Sequence, residues 1–388
     1  MTSITTRSRR RWLAPLAAVA ATAAIALTGG RFALAGDDLA PRTAAELLAD
    51  VQRARLDQLS GTVVQTADLG LPSLPVPGGA GAGGAASIDG AIGQMLSLAS
   101  GSHTWRVWYD GETRQRLALI SSLGESDIIR NGTDLWFWSS SDRSATHLTL
   151  PADTNAQARA AAAATGLPRT PEEAARLALD SIDPTTKAEV GPAVTVAGRA
   201  AYELVLTPKD AATLVSQVRV AVDSERKLPL RVQVYSTKLA TPAIEVGFTA
   251  IDFAAPEARQ FDFTPPPGTT LTQVSAEQLV AAAGDGKAAA AVGADRARAM
   301  RVTGTGWSRV VVAKLPAEQE NTQAPGSPTS GGRDALSRFL GGLPRVTGAW
   351  GSGRLLEGTL WSAVLTDDGR VALGAVPPAG LYAALAAK

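Results

Sequence analysis

Nucleophilic catalysis needs a serine or cysteine held beside a base, and metal catalysis needs clustered histidines, thiolates or acids. This chain offers little for either. It has no cysteine and only two histidines, His103 and His147, in 388 residues. No G-x-S-x-G elbow presents a serine, and both histidines fall within or at the ends of strand-like segments, where a structural role is expected. Asp367-Asp368 stands before Gly369, which reads as a turn, whereas a calcium site takes about 6–8 oxygen ligands. Gly304-x-Gly306 and Gly351-x-Gly353 lack the third glycine and the strand-to-helix setting of a dinucleotide loop. The residues point to no enzyme, no metal and no cofactor.

What remains is apolar chemistry. Four of the eight tryptophans, Trp105, Trp108, Trp136 and Trp138, lie between Ser102 and Leu150. Burying each methylene is worth about 0.8 kcal/mol, so an apolar surface binds a long hydrocarbon without any polar motif. The elements must then supply such a surface. Thr104–Asp110 alternates, with Trp105, Val107 and Tyr109 on one face and Arg106 and Trp108 on the other. Asp110-Gly111 and Asn131-Gly132 are hairpin signals. Further strands are expected at Arg116–Ile120, Asp127–Arg130, Leu135–Trp138 and His147–Leu150, with Trp136 and Trp138 on one side of theirs and Leu135 and Phe137 on the other. Strands return at Thr186–Val196, Ala200–Thr207, Val215–Asp223, Pro229–Ser236 and Ala243–Phe253. In these, Val218-Val220-Val222, Leu230-Val232-Val234 and Ile244-Val246-Phe248 alternate with polar residues, the half-buried antiparallel pattern. So many strands must curl, and a curled sheet needs apolar cover on its inner side. Helices or a ligand could supply that cover; alternation alone does not choose.

Helices are expected at Ala44–Leu56, opened by the capping box Thr43-Ala44-Ala45-Glu46, and at Ile88–Leu98, 156–164 and 170–182. Residues 78–86 are nearly pure Gly and Ala and read as a loop. After Pro265-Pro266-Pro267 the pattern changes to short helices and strands around a polar stretch, 316–333, expected to be disordered. The chain divides into 1–35, 36–272 and 273–388. The first part carries Arg7, Arg9, Arg10 and Arg11, the apolar run Trp12–Leu27 and Ala33-Leu34-Ala35. That is the layout of a secretory signal peptide. Left uncleaved, residues 12–28 would be a short membrane anchor, because a spanning helix takes about 17–25 apolar residues. Either way the folded part is expected outside the cytoplasm. Residues 1–35 hold five arginines and no acid, which leaves 32 basic against 36 acidic side chains in the rest. That balance argues against a nucleic-acid surface.

Residues 131–138, Asn-Gly-Thr-Asp-Leu-Trp-Phe-Trp, resemble the D-G-x-x-L-W-x-Y strand pair of LolA-type lipoprotein carriers, whose fold the sigma-E regulatory protein RseB shares. Asn131 stands for the usual Asp and Trp138 for the usual Tyr. Ala44–Leu59 with Ser60–Gln65 resembles the opening helix and strand, and Phe261–Gly268 the closing F-x-F-x-P-P-x-G. The resemblance covers roughly residues 40–270 and implies an α+β fold: a curved antiparallel sheet, an incomplete β-barrel, covered by helices. A smaller C-terminal α+β domain follows. It also implies an exported carrier or sensor that holds the acyl chain of a lipid or lipoprotein. The cavity residues it suggests are Trp136, Trp138, Val218, Val220, Val222, Val232, Val234, Val246 and Phe248. The alternative it implies is a regulatory module whose partner is a single-span membrane protein such as an anti-sigma factor.

Overall fold

The computed structural model describes residues 39–70, 100–121, 124–150, 184–274, 300–314 and 340–387. The expected signal peptide, the 78–86 and 316–333 loops, and the helices at 88–98, 156–164 and 170–182 lie outside them. So do the helix expected at Ser275–Ala283 and all but the last residue of Ala288–Met300.

The molecule is mostly β. Among the described residues thirteen strands make one large sheet. Its first half is a meander: β1 (Gln58–Asp68), β2 (Ser100–Asp110), β3 (Arg114–Ser121), β4 (Gly124–Asn131), β5 (Asp134–Ser139) and β6 (Ser144–Thr149). The second half holds β7 (Thr186–Val190), β8 (Val194–Val196), β9 (Arg199–Pro208), β10 (Val215–Asp223), β11 (Pro229–Ser236) and β12 (Pro242–Asp252). β1 pairs with β2 on one side and β12 on the other, so it joins the two halves. The expected single strand Thr186–Val196 is broken at Gly191-Pro192, where the Gly191 amide turns to the Glu203 carbonyl.

One part of the expected fold is corrected: β13 (Thr270–Val274) runs parallel to β6, so the sheet is mixed, not wholly antiparallel. Phe261–Gly268 crosses the sheet as a strap and delivers β13 to the β6 edge. The sheet does not close into a barrel. Among the described residues one α-helix lies against the large sheet. α1 (Ala44–Arg53) begins at the Thr43 cap as the sequence predicts: the Glu46 amide donates to Thr43 Oγ1 at 3.2 Å, and the Thr43 amide donates to Glu46 Oε2 at 2.7 Å. That return bond holds the exposed Glu46 carboxyl below the ordinary carboxylate range. α1 buries Leu47 and Ala49 and lies near the β7 edge.

Among the described residues, C-terminal ones cover part of the second half of the sheet. β14 (Met300–Thr303), β15 (Val310–Lys314), β16 (Arg345–Gly348), β17 (Gly351–Glu357), β18 (Ser362–Thr366) and β19 (Arg370–Gly374) form a second, antiparallel sheet. α2 (Pro378–Ala386) closes one face of it, burying Leu381, Ala384 and Leu385 against Val312, Val364 and Ala372. Leu360, just before β18, enters a cluster with Val215, Val218, Val232, Val234 and Ala243 of the large sheet. Trp307 and Ala375 pack at its margin. Hydrogen bonds fix this contact: Leu214 N to Ala375 O at 2.7 Å, Thr359 N to Leu69 O at 2.9 Å, Ser236 Oγ to Thr359 O at 2.5 Å, and Trp307 Nε1 to Thr186 Oγ1 at 2.7 Å.

Leu360 is therefore expected to carry stability for both sheets. Leu360→Ala should cost about 2–5 kcal/mol, the range for a buried leucine truncated in place. Urea unfolding followed by Trp fluorescence checks this; a loss below about 0.5 kcal/mol, the size of an ordinary surface effect, would mean that the contact is not maintained in solution.

Candidate functional site

A strand sends alternate side chains to opposite faces, and directly paired residues share a face. The register therefore assigns every candidate to a side. One row across the meander runs Trp136, Ile129, Arg116, Trp108 and Ser60. Another runs Phe137, Ile128, Leu117, Val107 and Gly61, on the opposite face. In the second half, Val246 pairs with Val232 and Val232 with Val220, while Ile244 pairs with Val234 and Val234 with Val218. Gln65 hands this set across β1, with the parity of Val63 and hence of the Phe137 row. Phe248 pairs with Val63 and joins the same face.

The nine sequence candidates thus divide. Val218, Val220, Val232, Val234, Val246 and Phe248 come together on one face, as their alternation predicts; Val222 lies past a register shift between β10 and β11, pairs with Pro229 and Tyr202, and is not in the apolar clusters of that face. Trp136 and Trp138 lie on the other. The strap closes that other face: the Phe263 ring sits 5.3 Å from Trp136 and 5.9 Å from Trp138, between ring centroids. His147 stacks on Trp136 at 4.1 Å, and its Nε2 is 2.6 Å from Asp134 Oδ1. Phe261 is fully buried. Arg116 donates to the Gln260 carbonyl and to Asp127 Oδ2, and Asn131 Nδ2 donates to Asp262. Trp136 and Trp138 thus pack on the strap, with His147 stacked on Trp136.

The valine face has its own division. Over β10–β12 it is covered by Leu360 and Trp307. Over β2–β5 it opens: Val107 and Leu117 are half-buried, Ile128 is 43% exposed and Phe137 is 42% exposed. Polar positions flank this apolar row, Gln115 and Arg130 on one side and Ser126, Ser139 and Ser144 on the other. The sequence reading did not select Val107, Leu117, Ile128 or Phe137 as lining residues. The signal was present, since Phe137 was assigned to the side of its strand away from Trp136. Among the described residues no group of three or more His, Asp or Glu could hold a metal ion, and no helix is long and apolar enough to cross a membrane.

No family model matches the chain, and no curated protein does. Solved structures similar to it include the MucA/MucB complex of Pseudomonas aeruginosa, at 14% identity over 88% of this chain and 96% of that one, with a TM-score of 0.38. A conserved protein of Thermus thermophilus matches at 11% identity over 60% of this chain and 99% of its own, with a TM-score of 0.31. A LolA-superfamily protein of Nitrosomonas europaea matches at 13% identity over 57% and 99%, with a TM-score of 0.21. The LolA superfamily is the kind of protein that the motifs at 131–138 and 261–268 resemble. At these scores the site is read from this chain's own residues.

The strap anchor makes a pH prediction. Asp127 is 3% exposed, and burial, with the nearby Glu125 charge, raises its carboxyl to about 6 despite the Arg116 guanidinium. Between the ordinary carboxylate range and about 6 the folded chain then holds a proton that the unfolded chain has lost. Stability contributed by this site is full below that window and falls as pH rises through it. The urea midpoint should decline across the window in the parent, and Asp127→Asn should flatten that slope. An unchanged slope in the variant would mean that Asp127 is already ionised below the window.

Proposed function

We infer that this protein is an exported, non-enzymatic carrier or sensor of an acyl chain from a lipid or lipoprotein. The ligand lies on the Val107–Leu117–Ile128–Phe137 face of the large sheet. The observation that carries this reading is the unequal treatment of the two faces. On the Trp136 face the strap's Phe263 packs on Trp136 and Trp138 and the exposed apolar residues, Ile120 and Leu271, stand far apart, while the opposite face keeps Ile128 and Phe137 more than 40% exposed side by side in one apolar row with Leu117 and Val107. A large aromatic ring left in water gains free energy on covering, on the order of 2 kcal/mol when burial is complete. A flexible hydrocarbon fits a row with no hydrogen-bonding geometry. The pattern of Arg7–Arg11, Trp12–Leu27 and Ala33-Leu34-Ala35 supports export. Val218, Val232, Val234 and Val246 serve here as the closed continuation of the same face, and Trp136 and Trp138 as the support behind it.

Organic extraction of the purified chain followed by lipid mass spectrometry tests the reading. The parent should yield a stoichiometric lipid. Ile128→Glu and Phe137→Glu should each lose it with stability changed by less than about 1 kcal/mol, because both sites are surface positions. Trp138→Leu, on the sealed face, should lower stability and leave the lipid in place. Co-purification of a single-span membrane protein with a lipid-free parent would instead favour a regulatory module that binds a membrane partner.

A further inference from the structure

The apolar row has an open end and a closed end. At the open end Phe137 of β5 stands across from Thr146 of β6, and Ser139 and Ser144 lie beside it. At the closed end the row reaches Gly61 of β1, next to Val107. Gly61 has no side chain, but its place is not vacant. A Cβ there would lie 2.8 Å from the Phe248 ring, so the ring stands where a Gly61 side chain would project. A bulge puts it there. The partner of Thr62 is Ala250 and that of Val63 is Phe248, which leaves Thr249 as the extra residue of β12. Bulges re-aim side chains, and this one turns Phe248 over the end of the row. Phe248 is itself fixed, 7% exposed and packed with Leu59, Val63, Leu230 and Val246.

Resting on the carrier reading above, we propose that Phe248 is the stop that sets acyl-chain length, with the chain terminus against its ring and the polar end beyond Phe137. From β5 to β2 is three strand spacings, about 14 Å. An extended chain advances about 1.2 Å per bond, so the row takes about twelve bonds of hydrocarbon. Longer chains must leave part of themselves in water at the Phe137 end. The site therefore discriminates among amphiphiles by tail length and tolerates differences in the head, which sits outside the row among serines and threonine.

A homologous series of saturated straight-chain fatty acids, titrated against the full mature chain, tests this. In the parent, affinity should rise about fourfold for each added methylene until the row is filled, then level off. Phe248→Leu opens the closed end and should move the levelling point to longer chains. Val107→Phe fills that end from the other side and should move it to shorter chains, which keeps the test intact if Phe248→Leu does not fold. Levelling at one length in the parent and both variants would overturn the stop. Failure of the parent to bind any member of the series would overturn the carrier reading first, and the stop with it.

Discussion

Everything in the large sheet depends on β1 being paired on both sides. Its hydrogen bonds to β2 and β12 lock two strand groups, distant in sequence, into one register. Side chains alternate with a period of two, so a slip of one residue at β1 would exchange the faces of half the sheet. The Thr249 bulge is the one place where β12 departs from strict pairing with β1, and it falls where Phe248 meets Gly61. The division between a sealed face and an open one follows from that register.

The two faces are then finished by different means. The strap brings Phe263 against Trp136 and Trp138 and is held through Arg116, Asn131 and the buried Asp127. β13 continues from the strap and covers the β6 edge. Unpaired edges invite further strands, so this parallel addition also blunts an aggregation site. On the other face, Leu360 and Trp307 fill the β10–β12 end. A polar cluster lies behind the valines: Glu203, 4% exposed, accepts from both Arg219 and Arg231, so the buried carboxylate is paired on each side. The second sheet is thus part of the support for the first.

Much of this was legible in the sequence. Alternation placed Trp105, Val107 and Tyr109 opposite Trp108, and the valines of β10–β12 together, because side-chain parity is a local property. The Asn131-Gly132 turn was legible because Gly132 must take a positive φ, here 64°. The parallel pairing of β13 was not, since parallel strands need no tight turn and leave no local mark. Nor was the Leu360 contact, which joins residues more than a hundred apart in the chain. The tryptophans misdirected the site for a physical reason. Large aromatics mark packing contacts, and Trp136 and Trp138, half-buried, pack on the strap's Phe263. The open row is made of smaller signals, Val107, Leu117 and Ile128, with Phe137 alone among them aromatic.

On the proposed reading, ligand and strap occupy opposite faces of one sheet. Intermolecular nuclear Overhauser effects between a bound acyl chain and the protein test it most directly. Cross-peaks are expected from acyl methylenes to the Ile128 methyls and the Phe137 ring, and none to the indoles of Trp136 and Trp138. Cross-peaks to those indoles, with Ile128 and Phe137 silent, would contradict it.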